Sequence, residues 1–308
     1  MSVKIKKIEL PQSGRVICVS DIHGSLDEFQ ALLKKVGYGA DDTLILLGDL
    51  WLKGRQPRET IEFIVKLAEN PNVHALLGNC DWVRKKLSDE ENAWADTLPH
   101  IIDAGDYVFV HAGLRPGSLD TQKLDFCVKN DAFLETSPPL DRWVVTGHWP
   151  TFNYTHGVPS CNPIVNREKR IIAIDGGMVV RHGGQLNAFI IENGEFSFES
   201  FDSMPTVNIT APQSEDGGFN ITWLDRHVER VSEGAEFSLC RHIESGRELE
   251  IANDQLWDDG GHLAVSIGTD YQLPLNAGDT VSVVAEYSDR YLAKHGGTVG
   301  WVSKSVTK

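Results

Sequence analysis

Several short apolar runs in the first two-thirds of the chain each stop on a small polar set, and no other feature restricts the fold as strongly. "RVICVS" leads into Asp21-Ile22-His23-Gly24, "TLILL" into Gly48-Asp49, and "VHALL" into Gly78-Asn79. "YVFV" leads into His111-Ala112-Gly113, and "WVVT" into Gly147-His148. Strand-like runs alternating with helix signals are the pattern of a layered α/β domain, in which ligands bind at the carboxyl ends of the strands. The polar residues after each run are therefore expected to converge on one edge of the core. Ser25 and Glu28 read as a capping box for a first helix, with Leu26, Phe29, Leu32, Leu33 and Val36 on one face and Gly37 as its stop. A second helix is expected from Pro57, burying Ile61, Ile64, Val65 and Ala68. Farther on, "LNAFII" and "EFSFESF" read as antiparallel strands joined at "ENGE", which points to a two-sheet core.

Charge and composition narrow the function. A formal net charge of -15 over 308 residues draws the chain toward neither nucleic acid nor an anionic membrane, so a phosphate-bearing ligand has to be held by metal ions or a few placed basic groups. Five cysteines without a C-x-x-C pair read as free thiols in a reducing compartment. With no apolar run near the roughly 20 residues of a membrane span and no signal-peptide pattern at the start, the expected location is cytoplasmic. Residues 1–201 are expected to form the catalytic domain and 202–218, rich in Pro, Ser and Gly, a linker. Short alternating runs from 219 to 308 suggest a small all-β domain, open to substrate selection, self-association or a protein partner.

The strand-end set comprises Asp21, His23, Asp49, Asn79, His111 and His148, an oxygen and nitrogen donor set suited to paired metal ions. Any one of these residues, taken alone, is more often a cap or a satisfied hydrogen-bonding group. In their order and context the blocks "DIHGSLDEFQALLKKVGY", "LILLGDLWLKG", "HALLGNCD", "FVHAGLRPG", "VTGHWPT" and "IAIDGGMVVRHGGQLNAFII" resemble the calcineurin-like metallophosphoesterase superfamily. The nearest branch is that of phosphoprotein phosphatases and bacterial diadenosine tetraphosphate hydrolases. The resemblance covers about Arg15 to Glu192 and not the tail. It implies an α+β fold, a β-sandwich flanked by helices. It also implies two divalent metal ions, one on Asp21, His23 and Asp49, the other on Asp49 (bridging), Asn79, His111 and His148. Asp49, Asn79 and His148 would then carry the catalysis, by water activated between the ions. Mn, Fe and Zn suit such donors, and Mg suits them less.

Two positions depart from the family pattern. Gly-Asn-His-Asp/Glu becomes Gly78-Asn79-Cys80-Asp81, and Gly-Asp-x-x-Asp-Arg-Gly becomes Gly48-Asp49-Leu50-Trp51-Leu52-Lys53-Gly54. The histidine and aspartate that protonate the leaving group in the family are thus replaced together, by Cys80 and Leu52. Without general-acid help, typically worth roughly 10²–10⁴ in rate, good leaving groups are favoured, so aryl, phosphotyrosine-like or anhydride substrates are expected over phosphoserine. Cys80 is read as a small packing thiol rather than a nucleophile. Lys53, Arg84 and Arg115 are the candidate phosphate contacts. Trp51 and Trp82 could wall a ring-bearing substrate or pack under the helices, and Tyr154 and His156 could supply an acid or belong to a surface loop. The first expectation is hydrolysis of phosphomonoesters, on a phosphorylated protein or a small molecule. The alternatives are a dinucleoside tetraphosphate or other phosphoanhydride hydrolase, and a metal- or phosphate-binding module with weakened catalysis. Nucleic acid and membrane are not expected partners.

Overall fold

A computed structural model describes residues 2–11, 14–82 and 87–308. They divide into two compact units: Phe152–Cys161, Val180–Gly183 and Ser203–Lys308 make the second, and the other described residues the first.

The first unit contains strands β1 (Ile5–Lys7), β2 (Arg15–Val19), β3 (Thr43–Leu46), β4 (Val73–Ala75), β5 (Ile101–Ala104), β6 (Tyr107–Val110), β7 (Trp143–Thr146), β8 (Ile164–Asn166), β9 (Ile171–Ala173), β10 (Leu186–Glu192) and β11 (Glu195–Phe201). One sheet runs β11-β10-β2-β3-β4, with β2, β3 and β4 parallel and β10 antiparallel to β2. The other runs β1-β5-β6-β7-β9-β8, with β6, β7 and β9 parallel. Alternation along β2 sets the order of the layers, because successive side chains of a strand point to opposite faces. Ile17 and Val19 pack with Phe29 and Leu32 of helix α1 (Leu26–Lys35) and Ile61 and Ile64 of helix α2 (Pro57–Leu67). Val16 and Cys18 pack instead with Ile102, Phe109, Val145 and Ile172 of the second sheet. The expected two-sheet core is present, and β2 is apolar from Val16 to Val19 because both its faces are covered there.

Local signals were followed unevenly. Ser25 stands at the N-cap of α1, but its side chain caps nothing. The Asp27 N–H donates to Gln56 Oε1 (3.2 Å), while Glu28 is buried and ion-paired to Arg55 (3.0 Å), so the expected capping box is absent. A capping box does form at helix α3 (Asp89–Thr97), between Ser88 and Glu91. At the β10–β11 hairpin, Asn193 (φ 52°) and Gly194 (φ 80°) both lie in the left-handed region, as a tight turn twisted to match its strands requires.

The second unit is built almost wholly of strands. Thr206–Asn208, Thr280–Glu286, Arg290–His295 and Thr298–Ser303 form one antiparallel sheet, and Val228–Glu233, Phe237–His242 and Glu248–Ala252 another. His156 lies in this unit, its Nδ1 3.6 Å from Asp225 Oδ2. No helix among the described residues is long and apolar enough to cross a membrane.

Trp51 is 1% exposed and belongs to the core between the first sheet and its helices, so it walls no ligand. Trp51→Ala should cost about 3–5 kcal/mol of stability, read as a lower urea midpoint, and Trp51→Phe markedly less. Equal losses for the two variants would contradict a packing role.

Candidate metal centre

Each predicted donor follows the carboxyl end of a strand: Asp21 and His23 after β2, Asp49 after β3, Asn79 after β4, His111 after β6 and His148 after β7. Backbone hydrogen bonds tie the ends together, from the Asp21 N–H to Gly48 O (3.0 Å), His23 N–H to Asp49 O (2.9 Å) and Gly147 N–H to His111 O (2.9 Å). Asp21, His23, Asp49, Lys53 and His148 all have φ between 50° and 81°. This left-handed conformation is unfavourable for residues bearing a Cβ, and its concentration here means the surrounding hydrogen bonds impose it. Two glycines make room: a Cβ at Gly78 would collide with the Asp49 carboxylate, and one at Gly147 with Asp21 Oδ2 and Ser20 Oγ.

Asp49 occupies the middle of the cluster. Its Oδ2 lies 3.8 Å from His23 Nε2 and its Oδ1 3.6 Å from His111 Nε2, so each oxygen faces a different histidine. His23 Nε2 is also 3.8 Å from Asp21 Oδ1. His111 Nδ1 bonds Leu47 O (2.7 Å), which leaves Nε2 toward Asn79 Oδ1 at 3.1 Å. The His148 ring is 5.2 Å from that of His111, and its Nε2 meets Asp131 Oδ1 at 3.0 Å, while the His148 backbone N–H donates to Asp21 Oδ2 (2.9 Å). All six predicted donors are thus gathered at one place.

Three carboxylates that sequence reasoning did not single out support them. Asp81 is wholly buried and accepts the backbone N–H groups of Asp49 (2.8 Å), Leu50 (2.9 Å) and Gly78 (2.8 Å), fastening the loop after β3 to the loop after β4. Asp131 takes the outer nitrogen of His148. Asp175, just past β9, is 1% exposed, and its Oδ2 has no hydrogen-bond partner among the described residues. Its position after "RIIAI" repeats the strand-end pattern and could have disclosed it.

Of the basic candidates, Lys53 reaches the cluster, its Nζ 3.5 Å from His23 Nε2. Arg115 is exposed, its guanidinium 5.0 Å over the Phe126 ring, and the small cavity it lines with Pro139, Leu140 and Arg142 includes none of the six donors. Arg84 lies outside the described residues. Trp82 is 37% exposed and stacks beside His100, ring centroids 6.1 Å apart.

The electrostatics follow from burying several acids together. Burial and then the Asp49 charge push the Asp21 carboxyl up to about 8, and the same two causes push Asp81 to about 7. Burial, then Asp21, raises Asp175 well above the carboxylate range. Burial also works to raise Asp49, but His111, His23 and hydrogen bonds from Cys80 together outweigh it and hold that carboxyl below its ordinary value. Burial lowers His23 to about 4, and burial with the neighbouring His111 does the same to His148, so both rings are neutral and can offer a lone pair. Buried acids that hold protons for want of a counter-charge, beside neutral imidazoles, fit a pair of divalent cations.

These shifts set a pH dependence. In the absence of metal the folded chain keeps the Asp21 proton to about pH 8 and the unfolded chain only to about pH 3.8, so stability falls as pH rises through that window. His23 and His148, lowered to about 4, act in the opposite sense only below about pH 6.5. Between pH 6.5 and 8 the carboxylates therefore dominate, and the metal-free melting temperature should fall with pH, less steeply in Asp21→Asn. Identical slopes by calorimetry for the two proteins would overturn the assignment.

Residues 14–177 match the family of calcineurin-like phosphoesterases. The symmetrical bis(5'-nucleosyl)-tetraphosphatase of Vibrio campbellii is 32% identical over 34% of this chain and 47% of that protein, so the chain spans about half the length of that relative. The asymmetrical bis(5'-nucleosyl)-tetraphosphatase of Bacillus velezensis is 29% identical over 61% of this chain and 92% of that protein. Among solved structures, a candidate diadenosine tetraphosphatase overlaps 65% of this chain and 99% of its own, with a TM-score of 0.53 and 22% identity, a likeness of fold. With more than half of its length matched, the chain belongs to the calcineurin-like phosphoesterase family.

Proposed function

We propose that the protein is a two-metal phosphoesterase whose preferred substrates are phosphoanhydrides, with dinucleoside tetraphosphates foremost, and aryl phosphates. The observation that carries this reading is the position of Asp49, with one carboxylate oxygen toward His23 and the other toward His111. Asp21, His23 and Asp49 would hold one ion, and Asp49, Asn79, His111 and His148 the other. When bound, a pair of divalent cations lowers the pKa of a water between them and offsets the charge of the phosphoryl oxygens. Carboxylate, amide and imidazole donors suit Mn, Fe or Zn better than Mg alone. Lys53 brings its ammonium to the same edge, where it would meet a phosphoryl oxygen as a point charge.

The choice of substrate rests on what stands beside these donors. Cys80 takes the place of the family's histidine, and Leu52 packs against the apolar core instead of offering a carboxylate. A serine alkoxide needs a proton as it leaves, whereas a nucleotide phosphate or a phenolate leaves without one. The tetraphosphatase names of both sequence relatives favour the anhydride over the phosphomonoester. The segment 219–308 is proposed as an accessory β-domain, with 202–218 leading into it and supplying the strand Thr206–Asn208 to one of its sheets, and the cytoplasm as the location.

The test is hydrolysis by metal-stripped protein after Mn²⁺ is restored, on diadenosine tetraphosphate, an aryl phosphate, and matched phosphotyrosine and phosphoserine peptides. Turnover should require the metal and fall to the metal-free level in Asp49→Asn. Two bound ions without turnover on any substrate would replace the enzyme with a binding module. Among the peptides, phosphoserine should be slower by about 10² or more, the scale of the missing acid. Equal rates on the two peptides would sink the leaving-group argument.

A further inference from the structure

Cys80 stands where the family pattern has a histidine and was expected to be a small packing thiol. Its sulfur nevertheless stands among metal donors: Cys80 Sγ, a ring nitrogen of His23 and a carboxylate oxygen of Asp49 all lie within 4.8 Å of one another. Metal bonds to sulfur and nitrogen are about 2.0–2.3 Å long, so small side-chain rotations bring three such atoms onto one ion. The backbone fixes the sulfur there, because the Cys80 N–H donates to Asp49 Oδ1 at 2.8 Å and Cys80 opens the short helical turn Cys80–Trp82.

We propose that Cys80 is a ligand of the first ion, together with His23 and Asp49, and that this sulfur makes the site select zinc, cobalt or ferrous ions over magnesium. The inference rests on the two-ion reading above and deepens it. A packing thiol would be expected in an apolar setting, as Cys18 is in the inter-sheet core. Cys80 is instead partly exposed beside a carboxylate and an imidazole, whereas Cys18, Cys127, Cys161 and Cys240 are buried. Asn79 supports it directly: the side-chain amide whose Oδ1 faces His111 Nε2 at 3.1 Å donates through Nδ2 to Cys80 Sγ at 3.3 Å. An N–H donor aimed at sulfur is the kind of outer contact that orients a thiolate ligand and tunes its bond to a metal. One amide would thus serve both ions, by its oxygen at the second and through the sulfur at the first.

Ligation replaces the S–H bond with a sulfur–metal bond and releases the proton to solvent, without oxidation or reduction. Thiolate is the softest donor in the set, so its gain is largest for zinc, cobalt and ferrous iron and smallest for magnesium.

The experiment is an anaerobic titration of metal-stripped, full-length protein with Co²⁺, following bound metal and the near-ultraviolet absorption together. The expected result is two Co²⁺ per chain with a thiolate-to-cobalt charge-transfer band, absent from Cys80→Ser and Cys80→Ala and retained in Cys127→Ser. Zn²⁺ affinity should fall in both Cys80 variants by at least about 10–100-fold, the scale seen when a group that merely supports a ligand is removed. Two bound Co²⁺ without that band in the wild-type protein would overturn the inference and leave the two-ion reading intact. A band that persists in Cys80→Ser would do the same. Failure to bind Co²⁺ at all would overturn both.

Discussion

One buried carboxylate holds the centre in register. Asp81 collects three backbone N–H groups, two from the loop after β3 and one from the loop after β4, and an N–H left unmet at such depth would cost about 1–3 kcal/mol. The clamp fixes where Asp49 leaves its strand and where Asn79 begins the next loop. Asp49 returns the favour by accepting the Cys80 N–H, so the two loops are tied in both directions. Only with that register fixed do the two oxygens of Asp49 face different histidines.

The same clamp gathers acids whose charges oppose one another. A chain of net charge -15 that buries Asp21, Asp49, Asp81 and Asp175 close together has no ordinary reason to do so. Among the described residues, the neutral rings of His23 and His148 and the Lys53 ammonium at the edge do not balance them. Divalent cations do, and they supply in the same act the positive field a phosphate-bearing substrate needs from so acidic a protein.

Much of this was legible in the sequence because it is local. A strand that ends in Asp-x-His-Gly or Gly-Asp announces both the strand and the donor, and the antiparallel pair joined at "ENGE" pointed to the two-sheet core. What escaped depends on the chain returning from a distance. Asp81 was visible as part of Gly-Asn-Cys-Asp, but its partners Asp49 and Leu50 lie some thirty positions upstream, and no spacing rule connects them. Asp131 and His148 meet in the same manner across 17 positions. The Ser25 capping box failed because the Ser25 N–H donates to Ile22 O and the Glu28 carboxylate is taken by Arg55, 27 positions on. Trp51 sits inside the Gly-Asp motif yet points into the core, since the left-handed turn at Asp49 redirects the chain.

That left-handed backbone bears on how a metal ion would be received. Hydrogen bonds to neighbouring protein groups hold Asp21, His23, Asp49 and His148 in it, so the fold itself positions these donors. An ion binding there would meet a cradle whose shape the backbone already sets. Which ion would occupy it is then a matter of how well the donor atoms of this edge match the cations the surroundings supply.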